Sequence, residues 1–323
     1  MSTPLTNKID FAVVIGVNHA NPNGDPLNGN RPRQTADRLG EISDVATKRK
    51  MRNRLLAMGE EIFVQSDDNR APGDEFRSLK ARFDASGIKK DQVREKGPEK
   101  WFDVRSFGQL FAFKDEKKKT GKGKATENSD DDNPEAGGTG DDAGAVSIGI
   151  RGPVTIQSAY SLKPIVPESI QITKSVNLEP DPKHPDPDRK GGDTMGMKHR
   201  VSSAVYVAYG AISPQLASKT GFSADDAEKI KWALQSLFEG DASAARPEGS
   251  MEVLHVVWCK HSSPCGQYSS ARVHRAIAAA LDKNKDGTFN EKEVKEALPG
   301  LQIEFLHALE GEALEKLPKR NDN

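Results

Sequence analysis

The sequence predicts an α+β protein of the ferredoxin-like or RRM class, in which helices pack on an antiparallel sheet. Residues 9–17 form an apolar, β-branched run that precedes a loop and an amphipathic helical pattern. Further strand-like runs follow with long polar insertions, and a second helical pattern precedes the strand-like run Met251–Lys260. A sheet with one open face is a common RNA-binding platform, so this fold class admits nucleic-acid binding.

The first helix carries an unusual density of positive charge. Ser43 is placed to cap a helix that continues to about Glu61. One apolar face is formed by Met51, Leu55, Met58 and Ile62. The basic side chains on the other sides are Lys48, Arg49, Arg52 and Arg54. This pattern predicts a helix with one buried face and a basic surface.

The remaining elements are separated by polar segments. Residues 101–113 are rich in aromatics and predict a strand, and Ser223 with Asp226 predicts a capping box. Further strands are predicted over 147–166, 169–176 and 198–211, and a helix over 268–281. Residues 114–146 change from lysine-rich to acidic and glycine-rich, so we expect no packed structure there.

Charge and cysteine content limit the setting in which the protein works. The net charge of −1 is unusual for a nucleic-acid-binding protein, but residues 8–54 hold nine basic and five acidic side chains. The two cysteines, Cys259 and Cys265, suggest a reducing compartment. The N-terminus lacks the apolar run of a signal peptide, and no stretch resembles a membrane span. We therefore expect a cytoplasmic protein without a membrane partner.

Residues 21–33, named here the Asn/Gly loop, have a composition that suits anion binding. Asn and Gly tolerate positive φ, so successive backbone N–H groups can turn toward one anion. Arg31 and Arg33 add donors for phosphate oxygens. The loop lacks the Gly-Lys-Ser/Thr ending of a Walker loop. A tight connector leading into a solvated basic helix is the alternative that these residues leave open.

Collinear motifs extend this pattern along the chain. They are Asn-Pro-Asn-Gly-Asp-Pro at 21–26, Gly-Asn-Arg-Pro-Arg at 29–33, Ser-Asp-Val at 43–45, Lys-Arg-Lys-Met-Arg-Asn at 48–53, Phe-Asp-Val-Arg-Ser-Phe-Gly at 102–108, Arg-Gly-Pro-Val at 151–154, Thr-Met-Gly-Met-Lys-His-Arg at 194–200, Thr-Gly-Phe-Ser-Ala-Asp-Asp at 220–226 and Asp-Ala-Ser-Ala-Ala-Arg at 241–246. Across residues 9–262 the chain resembles the backbone subunits of type I-C CRISPR Cascade complexes, which belong to CRISPR-associated protein family seven of the RAMP superfamily.

The resemblance implies an architecture named after a hand. The RRM-like palm would comprise residues 1–65, 101–113, 147–171 and 198–262, the fingers 66–146 and the thumb 172–200. Residues 263–323 would form a helical C-terminal tail. Copies would stack along a CRISPR RNA together with other Cascade subunits. Each thumb would flip one guide base, which leaves the other bases free to pair with target DNA. The resemblance implies RNA binding without catalysis.

The resemblance also places RNA-binding residues on the palm and at the thumb base. They are Asn21, Asn23, Gly24, Asn30, Arg31, Arg33, Lys48, Arg49, Arg52, Arg105, Phe107, Arg151, Lys198, His199 and Arg200. Phe107 is a candidate for stacking on a base, although an aromatic in this position is more commonly part of a core.

The C-terminal tail contains a separate motif. Residues 282–293 satisfy the EF-hand pattern, with Gly287 at the sharp turn. The oxygen ligands of a Ca²⁺ ion would come from Asp282, Asn284, Asp286, Thr288, Asn290 and Glu293. The RNA-binding function that the resemblance implies requires no cofactor. An acidic, solvated helix–turn–helix is the alternative for this segment.

Two other functions remain open from the sequence alone. A RAMP-type endoribonuclease that processes CRISPR RNA would need a His or Lys near the 2′-OH, and His19, Lys198 and His199 are the candidates. Relatives in other CRISPR types cut RNA with an aspartate, for which Asp25 and Asp37 are the candidates here. The other alternative function is that of a calcium-binding interaction protein, which depends on the EF-hand pattern in the tail.

Overall fold

The structure is a computed structural model that describes residues 3–70, 73–113, 146–174, 194–282, 286–288 and 290–319. The strands are β1 (Ile9–Ala20), β2 (Gly24–Asp25), β3 (Arg31–Pro32), β4 (Leu39–Ile42), β5 (Gly108–Phe113), β6 (Val146–Arg151), β7 (Val154–Ile156), β8 (Ala159–Pro164), β9 (Pro167–Lys174), β10 (Thr194–Ile212), β11 (Met251–Lys260) and β12 (Gln302–Leu306). The α-helices are α1 (Asp44–Ala57), α2 (Leu79–Ala85), α3 (Val93–Lys100), α4 (Phe102–Phe107), α5 (Pro214–Thr220), α6 (Ala224–Gln235), α7 (Ser270–Asp282), α8 (Glu291–Ala297) and α9 (Gly311–Glu315).

A large antiparallel sheet organises the chain. Its strand order is β12-β11-β1-β10-β8-β4, and β7 and β9 also pair with β10. The central strand β1 pairs along most of its length with β10 on one side and β11 on the other. The predicted α+β class with an antiparallel sheet is therefore confirmed. Four strands of this sheet and two helices follow one another along the chain in the order β1, α1, β8, β10, α6, β11, with other elements between them. The four strands lie side by side as β11-β1-β10-β8.

Helices cover both faces of the sheet. On one face, Phe11 of β1 packs with Met51 of α1 and Ile230 of α6. On the other face, Val14 of β1 packs with Ile277 of α7. Alternate residues of β1 serve the two cores, because successive side chains of a strand point to opposite faces. The tail thus covers a surface that an RRM would offer to RNA.

The structure corrects the strand predicted over residues 101–113, because its first half is helix α4. The buried Asp103 carboxylate accepts hydrogen bonds from the backbone N–H groups of Phe63 (2.7 Å) and Val64 (3.1 Å). These contacts anchor the helical turn and override the strand preference of the aromatic residues. Gly108 has φ 81°, which ends the helix and allows β5 to begin.

The predicted insertions correspond to separate features. Helices α2 and α3 pack with the β5–β6 hairpin around a small aromatic core formed by Phe63, Phe83, Trp101 and Phe111. Of the segment predicted to be disordered, residues 114–145 lie outside the described residues, and 146 begins β6. Strands β9 and β10 form a hairpin whose connection, 175–193, also lies outside the described residues. The tail has the predicted helices, and in addition its strand β12 pairs with β11.

Gly210→Ala is expected to destabilise the protein by about 3 kcal/mol, because a Cβ there would overpack the core. It would lie 2.2 Å from the Cζ of Phe11, which is fully buried and stacked on Trp258. Gly149→Ala in β6 is the matched control, since its Cβ would meet only Leu110 at 3.8 Å. Chemical denaturation of both variants tests this, and equal midpoints would contradict the tight packing at Gly210.

Candidate nucleic-acid interface

The Asn/Gly loop folds into a small, internally bonded hairpin made by β2 and β3. Gly29 and Asn30 both have φ 58°, a left-handed conformation that these two residue types tolerate. The Asn21 amide donates to the Asn30 carbonyl at 2.8 Å. A Cβ at Gly24 would lie 2.0 Å from the Asn30 side-chain oxygen, so a larger residue there would displace the Asn30 side chain. The sequence signature therefore specifies one loop conformation.

Backbone strain is concentrated around this loop. Among the described residues, the non-glycine residues with positive φ are His19, Asn30 and Arg38. All three lie within 20 residues of chain that contain the loop. Such conformations cost about 1–3 kcal/mol each and cluster at functional sites. The strain supports the view that the loop is more than a connector.

The polar side chains of the loop divide into structural and exposed groups. Asn23 accepts a hydrogen bond from the Ser43 backbone N–H at 2.9 Å, which fastens the loop to the start of α1. Arg33 lies 3.8 Å from the Asp25 carboxylate. Arg31 is exposed to solvent. Arg31 is thus the loop side chain best placed to meet a phosphate.

The basic helix α1 presents its charges unequally. Lys48 makes only a surface pair with Asp44 at 2.9 Å, of the kind that contributes about 0–1 kcal/mol. Arg49 is exposed. Arg52 is largely buried, with its Nε 2.9 Å from Asp103 and its guanidinium 5.1 Å from the centroid of the Phe107 ring. Lys48 and Arg49 are accessible, whereas Arg52 holds α1 against α4.

Arg105 and Phe107 have structural contacts that the sequence did not reveal. The Arg105 guanidinium forms a two-point ion pair with Asp226, at 3.1 and 2.9 Å, and donates to the Pro98 carbonyl at 2.8 Å. Asp226 also closes the predicted capping box of α6 with Ser223. Phe107 packs against the main core. These contacts favour a positioning role for Arg105 and the core alternative for Phe107.

The β9–β10 hairpin carries the predicted thumb-base residues. His199 Nδ1 lies 2.9 Å from the Ser169 hydroxyl, and the Arg200 Nε is 2.9 Å from Glu168. Lys198 is half-buried, and Arg151 at the end of β6 is exposed. These residues lie along two different hairpins.

Sequence reasoning missed two apolar side chains on the same hairpin. Met195 and Met197 are 71% and 55% exposed, although methionine is usually buried. Their spacing of two residues places them on one face of β10. That alternation was visible in the sequence and could have indicated an apolar contact surface.

Strand register brings the Asn/Gly loop next to the hairpin base. Ala20, the last residue of β1, pairs with Val201 in β10. The loop therefore begins beside the point where the thumb-base residues 198–200 end. The loop, the start of α1 and the hairpin base meet at one end of the sheet, and this region is the candidate interface.

One basic residue of α1, next to the exposed Arg49, is buried. Lys50 is 6% exposed, and its ammonium group bonds to the Asp241 carboxylate. Burial lowers the pKa of Lys50 to about 8, despite the opposing attraction of Asp241. Arg246 Nε also donates to Asp241, at 3.1 Å. Sequence reasoning did not place Lys50 on the basic surface of α1, and it did not predict the ion pair with Asp241.

The predicted calcium loop is only partly described. Asn284 and the side chain of Asp282 lie outside the described residues. Asp286 accepts hydrogen bonds from the Thr288 backbone N–H and hydroxyl, at 2.9 and 2.7 Å, and Asn290 caps α8. In the part of the chain that the structure describes, no group of three or more His, Cys, Asp or Glu side chains is arranged to hold a metal. Calcium binding stays a prediction.

None of the described helices is both long enough and apolar enough to cross a membrane.

Two solved structures align with this chain at low similarity. A chain of a "CRISPR RNA-guided surveillance complex, pre-nicking" aligns with a TM-score of 0.46 and 16% identity, covering 98% of this chain and 96% of that one. A chain of a "CRISPR RNA-guided surveillance complex" aligns with a TM-score of 0.44 and 14% identity, covering 98% and 95%.

Sequence comparisons are more decisive. A CRISPR-associated protein Cas7 from Haloferax volcanii is 36% identical over 66 residues, which are 20% of this chain and 19% of that relative. The chain thus matches only a small part of that relative's length. The family model of CRISPR-associated protein Cas7 matches residues 7–297, most of the chain. The chain belongs to the CRISPR-associated protein Cas7 family.

Proposed function

We propose that this chain is a non-catalytic, RNA-binding backbone subunit of a CRISPR surveillance complex of the type I-C kind. Its copies would stack along a CRISPR RNA, beside other subunits of the complex, and would support pairing of the guide with target DNA. The observation that carries the proposal is the meeting of the Asn/Gly loop, α1 and the hairpin base at one end of the sheet. Family membership agrees with this function.

The strand order supports an RRM-like palm. Strands β11-β1-β10-β8 with helices α1 and α6 follow the β-α-β-β-α-β order of ferredoxin-like folds. Helices α2 and α3 would belong to the fingers, and the outer part of the β9–β10 hairpin would belong to the thumb. Because α7 and α8 occupy the face that RRMs commonly use, RNA would bind at the edge and end of the palm instead.

The mechanism is electrostatic positioning of a backbone. Arg31, Lys48 and Arg49 would neutralise phosphates and release counterions, which gives affinity without sequence preference. The exposed Met195 and Met197 offer an apolar surface against which a base displaced from the stack can pack. Sequence would be read by pairing between guide and target, while the protein holds the shape of the RNA.

The test is incubation of the purified protein with an unrelated RNA of about 40 nucleotides, with EDTA and separately with Mg²⁺. Light scattering reports assembly, and a denaturing gel reports cleavage. Intact RNA in discrete larger particles is the expected result. Defined cut products in EDTA would instead favour the metal-independent endoribonuclease. If the RNA neither assembles with the protein nor is cut, the result would contradict RNA binding by this chain in the absence of partner subunits.

A second candidate function is calcium binding by the tail. Helices α7 and α8 lie on either side of the motif, Gly287 has φ 94°, and Asn290 caps the start of α8. Wild-type protein is expected to bind Ca²⁺ in titration calorimetry, and Glu293→Gln to weaken binding about tenfold or more, since it removes the two-oxygen ligand. Glu296→Gln, on the same helix, is the control. Absence of calcium binding by the wild type would contradict the assignment.

A further inference from the structure

Two segments that lie far apart in the sequence meet at Lys50. Lys50 and Asp241 are separated by 191 residues, and their side chains form an ion pair that is almost closed to solvent. The Lys50 ammonium group is also 5.4 Å from the centroid of the Phe238 ring. Lys50 therefore cannot reach a phosphate without leaving this site, unlike its exposed neighbour Arg49.

Asp241 fixes the segment that follows it, residues 241–246. Its carboxylate binds Arg246 Nε at 3.1 Å as well as Lys50. Ser243 and Arg246 exchange two backbone hydrogen bonds, at 2.8 and 3.0 Å, which close a tight turn. One carboxylate thus joins helix α1 to a turn in the α6–β11 connection.

This turn holds the beginning of the Asn/Gly loop. The Ala245 carbonyl accepts a hydrogen bond from the Asn21 backbone N–H at 2.9 Å. Asn21 in turn donates from its side chain to the Asn30 carbonyl across the loop. A chain of contacts therefore runs from Lys50 through Asp241 and Ala245 to the hairpin that carries Arg31.

We propose that Lys50, Asp241 and Arg246 are positioning residues that hold the Asn/Gly loop ready for RNA, and that Lys50 itself does not contact RNA. The inference rests on the proposed RNA-binding function. The loop contains Asn30 at positive φ and lies between His19 and Arg38, which also have positive φ, so it needs such support; a ligand would otherwise bear the cost of ordering it. Lys50, Asp241 and Arg246 are called here the clamp. Removing one partner of a buried ion pair leaves the other charge uncompensated, so the clamp is sensitive to single substitutions.

The test compares Lys50→Met with Lys48→Ala and Lys231→Met. Lys231 is the matched control, since it is a buried lysine on α6 whose ammonium group lies 3.1 Å from Glu304 and away from the loop. For Lys50→Met we expect the backbone N–H of Asn21, which donates to Ala245, to exchange its hydrogen at least about tenfold faster than in the wild type. We expect RNA affinity to fall about tenfold, while the slope of affinity against salt stays unchanged because the same phosphates are bound at the end. Lys48→Ala should reduce that slope by about 0.7.

Several results would overturn the inference. They are unchanged exchange at Asn21 in Lys50→Met, a reduced salt slope like that of Lys48→Ala, or an equal loss of RNA affinity in Lys231→Met. The first would show that the clamp does not hold the loop, the second that Lys50 touches RNA, and the third that the effect is general destabilisation. Absence of RNA binding by the wild type would overturn the proposed function, and this inference with it, even where Asn21 exchange responded as expected.

Discussion

Arg31→Ala combined with Lys48→Ala is expected to weaken RNA binding about tenfold at about 0.15 M salt. Arg31 is an exposed charge of the Asn/Gly loop and Lys48 is a partly exposed charge of α1, and each would neutralise about one phosphate. Loss of two contacts to a single strand should also flatten the slope of log affinity against log salt by about 1.4. The effect should be similar for unrelated RNA sequences, because phosphate contacts carry no sequence information.

Fluorescence anisotropy at several salt concentrations, with two unrelated RNAs, measures both quantities. The control is a double variant of the tail, Lys292→Ala with Lys316→Ala, which removes the same amount of charge. The two lysine side chains are 81% and 75% exposed, respectively. It should bind nearly as the wild type does. An equal loss of RNA affinity in this control would mean that the protein's net charge causes the effect. A loss of affinity for only one of the two RNAs would contradict recognition of the RNA backbone.

Asp103→Ala should give the largest stability loss of the substitutions considered, about 3–5 kcal/mol. Its carboxylate is buried and accepts from two backbone N–H groups and from Arg52 Nε at 2.9 Å. Removal would leave all three donors without this acceptor, and a buried unpaired guanidinium is especially costly. Urea denaturation followed by circular dichroism measures the change.

Glu312→Ala provides the comparison for Asp103→Ala. Glu312 also pairs with a cation, Lys316, but the pair lies on the surface and both partners are exposed. Its loss is expected to cost at most about 0.5 kcal/mol. A cost below about 1 kcal/mol for Asp103→Ala would mean that α4 and the aromatic core do not depend on this carboxylate.

Local signals in the sequence predicted the frame of the main sheet and its helices well. The apolar run at 9–17 became β1, and Ser43 caps α1 through a hydrogen bond to Ala46 N–H. The capping box between Ser223 and Asp226 is present as predicted. These features depend on residues within one or two turns of each other, so a linear reading can find them.

The failures have a common physical origin in contacts between distant residues. Helix α4 forms where aromatic content predicted a strand, because Asp103 bonds to backbone groups 40 and 39 residues away. Likewise Arg105 is paired with Asp226 across 121 residues. The sequence identified which residues are basic, but partners brought close by the fold decide which of them remain available. Arg31 and Lys50 illustrate the two outcomes.

The length of β10 has a consequence for how this protein can vary. Its 19 residues form one continuous strand, about 60 Å long, from the large sheet into the β9–β10 hairpin. Insertion of one residue between 197 and 201 would rotate Met195 and Met197 to the opposite side of the hairpin. Insertion of two would keep their direction and move them about 7 Å outward. Even-numbered changes, matched in β9, should therefore alter the reach of the hairpin without inverting it, which makes it an adjustable spacer.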